Sequence, residues 1–256
     1  MKIDQVAIQL YTLRDFCKTT EDYAATLKRV REIGYRAIQI SAVGPIPEKD
    51  LRSIAEGEGL VICATHEPAH KILNETQSVV DRLAALGCTY TAYPNPAGVA
   101  MDDPEGIRSL CEKLDAAGAI LQAAGQVLCY HNHAVELFRL NGKPVLETIY
   151  SCTSPQNLQG EPDTYWLQAG GVDPAAWCRR LKGRLPLLHI KDYAVGPDGK
   201  PYFAEIGYGN LDFKTIIAAG EESGCRWFIV EQDVCPGDPF VSIKKSFDYI
   251  QANLIS

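Results

Sequence analysis

Eight times along this chain a short run of strand-forming residues is followed by a stretch with helical spacing. The runs are QVAIQL (5–10), YRAIQI (35–40), LVICAT (60–65), TYTAYP (89–94), VLCYHNH (127–133), NLQGEPD (157–163), LPLLHI (185–190) and RWFIVEQ (226–232). NLQGEPD is the weakest of them, with a single large apolar residue. The helical stretches carry their own punctuation. In TTEDYAATLKRVREIG, Thr20 is placed to cap, Glu21 and Asp22 fall in the first turn, and Gly34 ends the helix. PEKDLRSIAEGEG opens on Pro47, whose fixed φ suits a first turn. Apolar strands separated by amphipathic helices predict a parallel sheet covered by helices. Eight such units in 256 residues, roughly 32 residues each, predict a single (β/α)8 barrel over residues 1–256. A doubly wound sheet would carry a glycine-rich phosphate loop after its first strand. Here that strand runs into LYTLRDF, which has no glycine.

Composition narrows the function. Lys and Arg total 25 against 32 Asp and Glu, a net charge of −7. That is the wrong sign for displacing counterions from phosphates, so no nucleic-acid partner is expected. No apolar run is long enough to span a bilayer, and MKIDQVAIQL lacks the basic-then-apolar pattern of a secretory leader. The nine cysteines are scattered, odd in number and never spaced CxxC, which argues for buried reduced thiols in a cytoplasmic protein. A small-molecule partner is expected, and a homo-oligomer is left open.

Barrels of this kind build their active sites at the C-terminal ends of the strands. His66 ends the third run, His131 and His133 the fifth, Asp163 the sixth, and His189 lies near the end of the seventh. Glu231 lies at the end of the eighth, and His70 just beyond the third. A lone histidine at a strand end is more often a hydrogen-bonded structural residue than a ligand, and Asp163 beside Pro162 could simply cap a turn. Their coincidence on successive strands favours a divalent-metal site instead. Carboxylate oxygens with imidazole nitrogens suit Mn, Mg, Co or Zn, and a catalytic ion leaves positions open for substrate oxygens.

YHNHAVELF, PDTYWLQAGGVDP, GRLPLLHIKDY, GYGNLDF and IVEQD, with IQLYTLRD and ATHEP, resemble the sugar phosphate isomerase/epimerase superfamily, the xylose-isomerase-like TIM barrels. The resemblance implies a cation held by Glu, Asp, His and Glu from strands five to eight. Asp163, His189 and Glu231 match the last three, while His131 stands where the first carboxylate is usual. His133 is two residues on and faces the same side. In such relatives two glutamates move protons on and off the carbon beside a carbonyl, through an enediolate. With His131 in place of one of them, the base is Glu231, His131 or His133, with Glu136 a further ligand or base. One-base epimerisation is one outcome; elimination or hydrolysis of a keto-sugar or glycoside is the alternative. His66 is placed to bond substrate, and Gln9, Tyr11 and Gln39 end the first two strands. Lys191 is expected to pair with Asp192 or a neighbouring strand, or to touch substrate. Trp166 is a candidate sugar wall, Tyr208 stands where an acid is frequent, and Arg184 reads as structural. No arginine cluster or glycine nest calls for a phosphate, so the expected substrate is a free sugar, polyol or derivative.

Overall fold

The computed structural model describes residues 1–255. Its barrel strands are β1 (Val6–Gln9), β2 (Ala37–Ile40), β3 (Val61–His66), β4 (Tyr90–Tyr93), β5 (Val127–His131), β6 (Leu158–Glu161), β7 (Leu187–Ile190) and β8 (Trp227–Val230). They pair in parallel in the order β6-β5-β4-β3-β2-β1-β8-β7. A parallel bridge from Asp163 to His189 joins the two ends, so the sheet closes into the expected (β/α)8 barrel.

Side-chain alternation sorts each strand into two faces. Val6, Ile8, Ile38, Ile40, Leu128, Leu188, Ile190, Phe228 and Val230 point outward into the large core under the helices. The inner face of the barrel is filled by small residues: Ala7, Ala37, Cys63, Ala64, Ala92 and Cys129, with Leu187 and Ile229. Two of the nine free cysteines thus serve as small apolar fillers inside the barrel. The register between β2 and β3 shifts after Ile38, so that Gln39 pairs with Ala64. This irregularity resets the phase of β3 and brings His66 to the inner face.

The helices begin close to where the sequence places them. The cap of Thr20–Ile33 is Thr19, one residue earlier than expected, in a reciprocal box with Asp22. Pro47 sits just before Glu48–Gly57 rather than inside its first turn. After β7 the chain inserts an antiparallel ribbon, Asp192–Val195 with Pro201–Ala204. Among the described residues no helix is long and apolar enough to cross a membrane.

Candidate active site

The two-residue period that fills the barrel with small residues delivers polar ones at its C-terminal mouth. Ala7 leads to Gln9, Ala37 to Gln39, Ala64 to His66, Cys129 to His131, Leu187 to His189 and Ile229 to Glu231. On β6 the corresponding position is Glu161, which pairs across the sheet with His131. All of these polar groups except His66 are under 6 % exposed, so each must find a partner inside the barrel.

Glu161 is the hub of the deeper half. Its Oε2 lies 2.5 Å from His66 Nε2 and 3.7 Å from His131 Nδ1. Its Oε1 accepts from Gln39 Nε2 at 2.6 Å. Burial alone would push this carboxyl up, but His189 and His66 override it and hold it at about 2. Gln39 Oε1 in turn accepts from Gln9 Nε2 at 2.9 Å and from His189 Nε2 at 2.7 Å. His189 donates through Nδ1 to Glu231 Oε2 at 3.0 Å. Burial disfavours its charge, yet Glu161 and Glu231 carry it up to about 10, making it an imidazolium at neutral pH. His131 goes the other way: burial and the neighbouring His189 hold it well below the usual range, so it stays neutral.

The outer half is organised by Lys191, which is 1 % exposed. Its Nζ lies 2.9 Å from Asp163 Oδ2, 2.8 Å from Glu231 Oε2 and 2.9 Å from Asp233 Oδ1. Burial opposes its charge, but these three carboxylates hold the ammonium well above its ordinary range. Glu231 is held far below its ordinary value against its burial, by Lys191 and then His189. Asp163 is raised to about 6 by burial, with Lys191 pulling against it. Asp163 also caps the helix Thr164–Ala169 through Oδ1, which accepts from Trp166 N at 3.0 Å. The turn cap, one of the two alternatives in the sequence, is present, and the second oxygen of the same carboxylate faces Lys191 in the polar cluster.

Above this tier lies a cleft of about 480 Å³, lined among others by Tyr11, His66, His131, His133, Lys191, Glu231 and Asp233. His133 is held neutral, at about 4, by burial and by Lys191, and its Nδ1 has no hydrogen-bond partner. Its ring packs on Trp166 at 5.2 Å between centroids.

Several candidates lie elsewhere. Glu136, an expected ligand or base, is fully buried and turned away from the cleft. It accepts from His133 N at 2.9 Å and from Tyr130 Oη at 3.2 Å, and so braces the loop that carries His133. Lys191 and Asp192 do not pair, because adjacent strand residues face opposite sides. Asp192 accepts instead from the backbone N–H groups of Gly207, Gly209 and Leu211, pinning the segment after the ribbon. A Cβ at Gly209 would collide with that carboxylate. Tyr208 is 56 % exposed and stacks under Lys245. Arg184 is structural, as expected, spanning Leu158 O, Tyr150 O and Thr153 Oγ1 at 2.7 Å each. His70 is exposed outside the cleft.

A divalent cation fits this set on three counts. Ligand atoms from His131, Asp163, His189 and Glu231 all lie within 4.8 Å of one another, and a second set, His66, His131, Glu161 and His189, shares two of them. Four ligands at about 2.0–2.2 Å round a tetrahedral ion stand about 3.3–3.6 Å apart, so closure onto an ion needs side-chain shifts of up to about an ångström. His131 Nδ1 is buried with no hydrogen-bond partner, a donor group waiting for one. Charge agrees: four carboxylates (Glu161, Asp163, Glu231 and Asp233) surround the Lys191 ammonium and the His189 imidazolium, an excess of negative charge.

Sequence reasoning missed Glu161 and Asp233. Both stand two residues from a recognised site residue, Asp163 and Glu231, and the strand period alone was enough to point to them.

Comparison with known proteins agrees with this architecture. An inosose dehydratase from Lacticaseibacillus casei is 26% identical over 162 residues, covering 57% of this chain and 54% of that protein. The chain thus spans about half the length of that relative. The crystal structure of a sugar phosphate isomerase/epimerase from Parabacteroides distasonis superposes with a TM-score of 0.81 at 23% identity, covering 99% of this chain and 96% of that one. A xylose isomerase-like TIM barrel protein from Mycobacterium smegmatis, in complex with magnesium, gives 0.74 at 16% identity, covering 97% of this chain and 95% of that one. The family model for the xylose isomerase-like TIM barrel matches residues 27–252, and the chain belongs to that family, whose relatives here are enzymes.

Proposed function

We propose that this protein is a divalent-metal-dependent isomerase or epimerase that moves a proton next to the carbonyl of a sugar or sugar derivative. The observation that carries the reading is Glu231 in the cleft. Both of its polar contacts, His189 Nδ1 and Lys191 Nζ, fall on Oε2 and keep the carboxylate ionised, leaving Oε1 to receive a proton once those cations are drawn off it. His133, a neutral imidazole in the same cleft, is the second proton-carrying group. Lys191 and His66 orient substrate oxygens from the cleft wall, and Glu136 acts through the loop that holds His133.

His131, Asp163, His189 and Glu231 would hold the cation, with Mn, Mg, Co or Zn compatible with mixed oxygen and nitrogen donors. When bound, it offsets the negative charge that develops on substrate oxygens as the proton leaves. The Mycobacterium smegmatis neighbour, which holds magnesium, supports a divalent ion on this fold.

A second reading, a dehydratase or other lyase, is favoured by the similarity to an inosose dehydratase. It also suits a cleft with one free carboxylate oxygen and one neutral imidazole: neither starts with an acid proton, so the group that removes the substrate proton returns it to the departing hydroxyl, which leaves as water. Incubation with keto-sugars and inososes in deuterated water with Mn²⁺ separates the readings by NMR. Deuterium wash-in beside the carbonyl without net loss of water supports the isomerase, and accumulation of an unsaturated ketone supports the lyase. Neither signal across the panel, from a protein that binds the ion, would overturn both.

A further inference from the structure

The three carboxylates around Lys191 are not equivalent. Asp163 and Glu231 belong to the cation-ligand set, whereas Asp233 does not. Asp233 is also the most exposed of the three, 22 % against 0 % and 5 %, and stands at the cleft wall. The ammonium bonds one oxygen of each of these two ligand carboxylates, Asp163 Oδ2 at 2.9 Å and Glu231 Oε2 at 2.8 Å. An ion held by these two carboxylates would share their buried pocket with Nζ, and two like charges on the same pair of carboxylates repel strongly away from water. Nζ therefore has to give way. Lysine's flexible four-carbon stem permits it, and Asp233 Oδ1, at 2.9 Å, is already within its reach.

We propose that Lys191 is a tethered counter-cation that competes with the divalent ion for Asp163 and Glu231, and that Asp233 is the residue that keeps the ammonium when the ion is bound. The inference rests on the ligand set put forward above. It explains why a site with so many buried carboxylates can fold before an ion arrives: the lysine neutralises them. It also makes Asp233 a positioning residue, acting on the ion only through Lys191.

The test is calorimetric titration of Mn²⁺ into the intact protein and into Lys191→Met, Asp233→Asn and the double variant. Lys191→Met should bind Mn²⁺ about tenfold more tightly, or better, because one competing charge is gone. Asp233→Asn should weaken binding by about tenfold in the native background, but by less than about threefold once Lys191 is Met. Unchanged or weaker binding by Lys191→Met overturns the proposal, as does an equal loss from Asp233→Asn in both backgrounds. If Lys191→Met folds only with the ion present, its melting temperature should rise more on adding Mn²⁺ than that of the native protein. Asp233→Asn, changed at a partly exposed position, then decides alone: unaltered Mn²⁺ affinity refutes the competition. No Mn²⁺ binding by the native protein would instead overturn the ligand set itself, and the competition with it.

Discussion

Replacing Glu136 with Gln separates a bracing carboxylate from a catalytic one. Glu136 is fully buried, and burial raises its carboxyl from the ordinary 4.5 to about 7, against the opposing pull of its own and the His133 backbone N–H and of Tyr130. An acid raised by folding keeps its proton in the native state after the unfolded chain has lost it. Its contribution is therefore intact below 4.5 and is lost as the pH rises to about 7, after which stability is flat. At 1.36 kcal/mol per pKa unit the loss is about 3 kcal/mol. Glutamine has no proton to lose. Its carbonyl can accept from His133 N–H while its amide donates to Tyr130 Oη, so both contacts survive. Urea unfolding should therefore show Glu136→Gln within about 0.5 kcal/mol of the native protein near pH 5, and about 2–3 kcal/mol more stable near pH 8. Turnover, once a substrate is found, should fall less than about tenfold, because this carboxylate lies outside the cleft. An equal difference at the two pH values would refute the buried-acid argument, and a thousandfold loss of kcat would return Glu136 to the role of base.

Three further expectations follow from the same polar tier. Glu161→Gln strips the counter-charge from the His189 imidazolium and the carboxylate that bonds His66 Nε2, and should cost about 3–5 kcal/mol in urea unfolding near neutral pH; a loss under about 1 kcal/mol would contradict the hub assignment. Because folding lowers the Glu161 carboxyl from the ordinary 4.5 to about 2, its stabilising effect should be complete above 4.5 and be lost as the pH falls from there to about 2. His189 is protonated up to about 10, yet a ligand imidazole must be neutral, so Mn²⁺ binding near pH 8 should release about one proton. Calorimetry in buffers of differing ionisation enthalpy reads this directly, and no buffer dependence would exclude His189 from the ligand set. Arg184→Met loses three carbonyl and hydroxyl contacts beneath β6 and should cost about 2–4 kcal/mol while leaving Mn²⁺ affinity unchanged.

What the sequence made legible, and what it hid, follows from where each partner lies along the chain. Seven strands announce themselves because their outward residues, such as Ile8, Ile38 and Phe228, must enter the core beneath the helices. β6 is muted. Its outward positions are Leu158 and Gly160, and a Cβ at Gly160 would press on Leu181 and the Arg184 carbonyl, so close packing there leaves little apolar signal. With β6 faint, its inward residue went uncounted and Glu161 was lost, even though His131 to His133, His189 to Lys191 and Glu231 to Asp233 already spelled the period. The same period places Lys191 and Asp192 on opposite faces, which keeps them from pairing. Asp192's true partners could not be foreseen. Gly207 and Gly209 reach it across the ribbon, and nothing local records where such a segment closes. Charge is harder still. Strand period says that Asp163, His189, Lys191 and Glu231 face one cavity, but their protonation depends on which atom meets which. The 2.8 Å contact that makes Glu231 a strong anion and the pairing of His131 with Glu161 both come from register between strands distant in sequence. Residue identity therefore names the participants in this chemistry, whereas the closed barrel decides which of them is cation, anion or neutral base.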